Sequence, residues 1–260
     1  MENPTPNKSL GQHWLHDYES LRAIVDAAGL KSRDTVLEIG PGLGTLTELL
    51  VHEADRVVAI EFDAQLAADL PARVSESNLE VVQQDILSFD FTSLPPDYKV
   101  VANIPYYLTS NLIRVISETP NRPTKAVLLI QKEVAERLAA APGQMSLLSV
   151  TAQFYWQVSL GIEVPAHLFT PPPKVDSQVV ILVRRDQPLF DDVQPKDFFR
   201  LVKAGFAQKR KTLLNSLSSG LHLEREKVQA ACQSVGIEPI RRAQTLSLDE
   251  WHDLYHSLNS

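Results

Sequence analysis

Asn103-Ile104-Pro105-Tyr106 carries the residue types best suited to a reaction in this sequence. An Asn carboxamide oxygen beside a proline-constrained carbonyl presents two acceptors to one amine, and Tyr106 offers a flat face on which a base can stack. No general base accompanies them. None is needed where an exocyclic amine attacks a sulfonium methyl group, because the nitrogen becomes strongly acidic only once its bond to carbon forms. Catalysis then consists of holding the amine lone pair in line with the methyl.

Three further features can converge on the same place. Glu38-Ile39-Gly40-Pro41-Gly42-Leu43-Gly44 follows an apolar strand and precedes a helical pattern over 45–52. Gly40 and Gly42 let backbone approach a ligand where a Cβ would collide, and the helix start offers free N–H groups. The spacing is G-x-G-x-G rather than the G-x-G-x-x-G of dinucleotide sites. Glu61 ends the next strand, where an acidic side chain can accept both hydroxyls of a ribose; Asp85 follows a third strand end. In open α/β sheets ligands bind beyond the carboxyl ends of the strands, so Gly40, Glu61 and Asp85 are expected around one nucleoside.

The elements that must position these residues show as β-branched runs alternating with helical stretches from Asp34 to about Arg184. Strands are expected at 35–39, 57–61, 79–83, 100–102, 126–130, 149–158 and 178–183. The last two have no long helix between them, which suggests an antiparallel edge on an otherwise parallel, doubly wound, Rossmann-like sheet. From Pro195 onward the apolar residues fall at helical spacings. The expectation is an α/β domain over residues 1–185 and a small all-α domain over 186–260.

Composition agrees with a folded chain of 260 residues, with 44% hydrophobic and 22% charged residues. The single cysteine, Cys232, excludes an intrachain disulfide framework and a cysteine-cluster zinc site. The polar start and the lack of a long apolar run point to a cytoplasmic protein without a membrane segment. A net charge of −7 argues against generic avidity for nucleic acid. Yet within 195–215 Lys196, Arg200, Lys203, Lys209, Arg210 and Lys211 face only one carboxylate, Asp197. Drawn as one continuous helix over 195–217, this segment places Lys196, Arg200, Lys203, Arg210 and Lys211 on one arc. Lys203, Arg210 and Lys211 are the expected RNA-binding residues. The seven histidines are read as surface or packing residues without metal-ligand spacing, so no metal is expected.

Taken together, several strings resemble one family: Lys8-Ser9-Leu10-Gly11-Gln12-His13-Trp14-Leu15, the glycine turn, Glu61, Asp85, Asn103 to Tyr106, Phe169-Thr170-Pro171-Pro172-Pro173-Lys174-Val175-Asp176-Ser177, and Phe206 to Leu213. They look like the ribosomal RNA small-subunit adenine dimethyltransferases, from about residue 8 to the C-terminus. The resemblance implies a Rossmann-like methyltransferase that uses S-adenosyl-L-methionine to dimethylate the exocyclic amines of two adjacent adenosines near the 3′ end of small-subunit rRNA. It implies cofactor contacts at His13, Leu15, Gly40, Glu61, Asp85 and Asn103. It also implies that Phe169 pairs with Tyr106 around a flipped base, completing a catalytic set of Asn103, Tyr106 and Phe169. The family usually has Asn-Phe where this chain has His13-Trp14; a backbone contact at 13 tolerates the change, whereas a carboxamide contact does not. The implied partner is the pre-assembled small ribosomal subunit, engaged by a monomer. A large-subunit rRNA adenine methyltransferase of the antibiotic-resistance type shares nearly all the cofactor motifs and stays open as an alternative, as does a non-catalytic assembly or transcription factor on the same fold.

Overall fold

The computed structural model describes residues 6–7, 10–187 and 189–259. Lys8 and Ser9, which open the first of the family-like strings, lie outside them. The described chain divides into two compact units: the first runs to Glu136 and resumes at Gln157–Arg184, while the second holds Arg137–Trp156 and continues from Arg185.

The first unit begins with β1 (Trp14–Leu15) and α1 (Tyr18–Ala28), followed by β2 (Thr35–Ile39), α2 (Thr45–Glu53), β3 (Arg56–Glu61), α3 (Ala64–Arg73) and β4 (Leu79–Gln83). It continues with β5 (Lys99–Asn103), α4 (Thr109–Glu118), β6 (Lys125–Gln131) and α5 (Lys132–Leu138), the last of which crosses into the second unit. The inner strands are β-branched runs such as Val57-Val58-Ala59-Ile60, almost wholly buried, as strands covered on both faces must be. Asp17 and Asp63 cap α1 and α3, each accepting a first-turn backbone N–H.

Sheet order is β4-β3-β2-β5-β6-β9-β7, with β7 at Trp156–Val164 and β9 at Ser177–Arg184. Neighbours from β4 to β6 run parallel, and β9 pairs antiparallel with β6 from Lys125↔Val183 to Gln131↔Ser177. Strand order reverses between β2 and β5, which places a ligand crevice outside their carboxyl ends. A separate two-stranded ribbon pairs β1 with β8 (Phe169–Thr170), Leu15 opposite Phe169.

The strand expected at 149–158 is corrected. Residues 147–155 form α6 (Leu147–Tyr155), and extended chain begins only at Trp156. Ser146 and Ser149 form a reciprocal capping box that nucleates the helix, and this local signal outweighs the β-branched Val150 and Thr151. The segment that precedes β7 also belongs to the second unit, although a sequence boundary at 185 puts it in the first. Its Phe154 ring stacks on Phe198 at 5.2 Å, which ties α6 to the helices that follow.

The second unit continues with α7 (Pro195–Phe206), α8 (Leu213–Leu221), α9 (Arg225–Ser234) and α10 (Leu248–Asn259). The continuous helix drawn over 195–217 is therefore two helices. The chain turns between Phe206 and Leu213, where Thr212 caps α8 by accepting the Asn215 N–H.

Candidate active site

Beyond the carboxyl ends of β2, β3, β4 and β5 the first unit holds a cleft of about 260 Å³. Its lining brings together His13, Leu15, Gly40, Gly42, Glu61, Asp85, Asn103, Tyr106 and Phe169. Every expected cofactor and catalytic residue thus reaches one cavity, from segments far apart in sequence.

The glycine turn leaves β2 with Gly42 at φ +57°, and a Cβ there would sit 3.4 Å from the Trp14 indole. The left-handed backbone is what favours glycine here, the indole lying at ordinary contact distance. Its N–H donates to Glu61 Oε2 at 3.1 Å, while the Asp63 N–H donates to Oε1 at 2.9 Å. The Glu61 carboxylate, 7% exposed, is held between two backbone donors at the cleft wall. Burial raises its pKa above the usual range, and the two N–H groups pull the other way.

Glu38, on β2, opens the glycine-turn string, yet spacing alone gives it no role. It is 1% exposed, and its Oε2 is buried with no hydrogen-bond partner. Burial pushes its carboxyl up to about 8 against the opposing pull of Thr47, and the Glu61 charge adds to the rise. A buried acceptor left open at a cavity wall is costly unless a ligand donor fills it. The signal available in sequence is a charged residue within an otherwise apolar strand.

Asp85 lies at the exposed end of β4, where Oδ1 accepts the Leu87 N–H and starts a short helical turn over Ile86–Ser88. Leu87, at 37% exposure, lines the same cleft, as do the more exposed Phe62 and Tyr107. Sequence reasoning misses these apolar walls because single exposed apolar residues are ordinary, and only the cleft groups them.

Asn103 ends β5. Its Nδ2 donates to the His13 carbonyl at 3.3 Å, which assigns the amide orientation and leaves Oδ1 for an incoming donor. The His13 backbone carbonyl takes the Asn103 amide, and its ring Nδ1–H donates to the Pro171 carbonyl at 2.7 Å. Leu15 presents its carbonyl to Thr45 Oγ1 at 3.0 Å and buries its side chain in the core.

Tyr106 stands at the cleft with its hydroxyl 2.8 Å from Ser177 Oγ. The aromatic ring it meets is His13, stacked at 5.9 Å and 24°. The expected partner, Phe169, lines the cavity but is 3% exposed and packs in the core with Leu15, Val164 and Val179.

In the second unit, Lys203 is exposed on α7, whereas Arg210 and Lys211 are exposed in the turn before α8. A helical arc does not align them; the turn does the presenting. The reading that no histidines have ligand spacing is also corrected, since His252 and His256 stand one turn apart on α10. Among the described residues, no helix is long and apolar enough to cross a membrane.

Residues 3–260 match the family model described as ribosomal RNA adenine dimethylase. A protein of Dehalococcoides mccartyi (strain ATCC BAA-2266 / KCTC 15142 / 195), ribosomal RNA small subunit methyltransferase A, is 42% identical over 248 residues, 94% of this chain and 85% of its own. Its namesake in Geobacillus thermodenitrificans is 40% identical over 265 residues, 96% and 90% of the two chains. Among solved structures, a dimethyladenosine transferase from Plasmodium falciparum superposes with TM-score 0.79 at 27% identity, covering 95% of this chain and 98% of that one. The 23S rRNA methyltransferase ErmE superposes with TM-score 0.76 at 29% identity, covering 95% and 100%.

Proposed function

Because the chain belongs to the ribosomal RNA adenine dimethylase family, we propose that it transfers methyl groups from S-adenosylmethionine to the exocyclic amines of two adjacent adenosines near the 3′ end of small-subunit rRNA. The observation that carries the reading is the position of Asn103. Its free Oδ1 and the turn through Ile104-Pro105 open onto the same cleft as the glycine turn and two buried carboxylates.

The cleft fits the cofactor by the chemistry of its donors and acceptors. Glu38 Oε2 is an orphaned buried acceptor suited to an ammonium, and Glu61 at the end of β3 is suited to a ribose diol. Phe62 and Leu87 give a flat ring apolar walls, with Asp85 at the polar edge. Bound S-adenosylmethionine supplies a methyl group on a positively charged sulfur, ready for displacement.

The protein's own contribution is positional. Asn103 Oδ1 accepts one hydrogen of the adenine amine, and the carbonyl before Pro105 accepts the other, which turns the nitrogen lone pair toward the methyl. Tyr106 holds the face of the base, its ring fixed by the hydroxyl contact to Ser177 and by the His13 ring behind it. Phe169 backs that pocket from the core and sets its depth. No residue need remove a proton before methyl transfer, and the dimethylated product has no N–H left to satisfy Asn103.

Lys203, Arg210 and Lys211 serve as phosphate contacts for an otherwise acidic chain acting as a cytoplasmic monomer. The test is methyl transfer from labelled S-adenosylmethionine to undermethylated small subunits, large subunits and naked rRNA in parallel. Incorporation confined to small-subunit RNA is expected; incorporation into large subunits would favour the large-subunit alternative, the specificity named for the 23S rRNA methyltransferase ErmE among the structural neighbours.

A further inference from the structure

Within the second unit, Asp192, His252 and His256 each offer a ligand-type atom, and these atoms lie within 4.8 Å of one another. His252 Nε2 lies 2.7 Å from Asp192 Oδ1, His256 Nε2 lies 2.9 Å from Asp192 Oδ2, and the two Nε2 atoms are 3.1 Å apart. Each imidazole Nε2 carries at most one hydrogen, so two hydrogens can serve at most two of these three short edges. The remaining edge opposes two lone pairs or two hydrogens. A cation at the centre satisfies all three.

We infer that Asp192, His252 and His256 form a binding site for a borderline divalent transition-metal ion of the zinc class, which fastens α10 to the segment leading into α7. The donor set is two imidazoles and one carboxylate, which suits zinc, cobalt or nickel and not the oxygen-seeking magnesium or calcium. Tetrahedral zinc with bonds of about 2.0–2.1 Å needs ligand edges of roughly 3.3 Å, so the 3.1 Å edge between the two histidines opens by a few tenths of an ångström and the 2.7 Å edge from His252 to Asp192 by roughly 0.6 Å.

The surroundings hold the rings in place. His252 stacks on Phe190 at 4.2 Å and 21°, and His256 meets the edge of Tyr255 at 5.3 Å. Asp253 Oδ1 lies 3.8 Å from His252 Nδ1, a negative charge near the ring nitrogen away from the metal position but beyond hydrogen-bond distance. The carboxylate of Asp192 is 51% exposed and His256 is 44% exposed, which leaves the fourth coordination position to water. His252 and His256 share a helix face by i, i+4 spacing, while Asp192 is brought to them from sixty residues away. A metal that binds only the folded state stabilises it by RT ln(1 + M/Kd), where M is the free metal concentration, a gain that keeps growing as M exceeds the dissociation constant.

The test uses the full chain, stripped of metal by chelator and titrated calorimetrically with zinc chloride, then with magnesium chloride. One equivalent of zinc, silence with magnesium, and a melting temperature raised on the order of several degrees by saturating zinc are expected. Asp192→Asn, His252→Gln and His256→Gln should each abolish the equivalent and the thermal response, whereas Cys232→Ser should retain both. Zinc stoichiometry unchanged in the three variants, or an equal response to magnesium, would overturn the site. Where a variant does not fold, cobalt-loaded wild type decides. An intense visible band of tetrahedral cobalt supports the site, and the weak spectrum of the hydrated ion contradicts it.

Discussion

Asn103 Nδ2 donates to the His13 carbonyl across ninety residues of sequence, at 3.3 Å. This one bond orients the Asn103 amide through a backbone atom of residue 13 and leaves Oδ1 open, while the His13 ring is itself engaged with Tyr106 and the Pro171 carbonyl. Asn103→Ala removes the acceptor and the anchor of the β1 segment together. Turnover should fall by on the order of a hundredfold, as for an angstrom-scale misplacement of the nucleophile. Single-turnover kinetics on small subunits check it; a rate within about threefold of wild type would remove Asn103 from the chemistry.

Tyr106→Phe tests the hydroxyl contact. Its removal leaves the buried Ser177 Oγ without that partner, a cost of about 1 kcal/mol in stability. Urea unfolding should show this drop while methyl transfer stays near wild type, because the face holds the base. Tyr106→Ala should in addition forfeit stacking worth roughly 1–3 kcal/mol, read as a raised Michaelis constant for the RNA.

Glu38→Gln separates ligand binding from stability through pH. The Glu38 carboxyl, raised to about 8 in the fold from an ordinary 4.5, is protonated in the folded protein at pH values where the unfolded chain has already ionised. The folded state then binds more protons than the unfolded one, so the stability of the ligand-free protein falls as pH rises from 4.5 toward 8. The variant lacks this slope. Relative to wild type it should gain on the order of a few kcal/mol between those limits, while its affinity for S-adenosylmethionine drops. Thermal melts near the two ends of that range, with calorimetric titration, decide; parallel pH profiles would show that Glu38 does not titrate there.

Glu61 does two jobs, and two substitutions tell them apart. Glu61→Gln keeps an oxygen for one of the backbone N–H groups of Gly42 and Asp63, whereas Glu61→Ala abandons both. Affinity for S-adenosylmethionine should fall about tenfold or more in Ala, at about 1–3 kcal/mol for each charged hydrogen bond removed, and less in Gln. Equal affinities in all three proteins would detach Glu61 from the cofactor.

Most of the cleft is legible in sequence because strand-end residues in an α/β sheet report their own position. Gly40, Glu61, Asp85 and Asn103 each follow a β-branched run, and the fold sends all such ends to one side. Glu38 escapes such a reading because its importance lies in a missing partner, a property of packing that spacing does not carry. Phe169 reads as an aromatic beside a proline turn, and its pairing with Leu15 across a two-stranded ribbon, which buries it, involves residues too distant to be inferred from pattern. The break between α7 and α8 is hard to see because Gln208 to Lys211 contains no glycine or proline; the cap at Thr212 is the available sign.

Reversing Arg210 and Lys211 to Glu tests the docking surface. Subunit binding should weaken, and its salt dependence should flatten by about one unit of slope for each phosphate no longer neutralised, with S-adenosylmethionine affinity unchanged. A Michaelis constant unaltered across a salt series would assign RNA docking to another face.

Whether the chain dimethylates adjacent adenosines is decided by nucleoside mass spectrometry of small-subunit rRNA, after incubation of undermethylated subunits with the purified protein and S-adenosylmethionine. The expected result is dimethyladenosine at two adjacent positions near the 3′ end, formed on the order of a hundredfold more slowly by Asn103→Ala. Monomethyladenosine alone, a modified base other than adenine, or dimethyladenosine confined to large-subunit rRNA would contradict it.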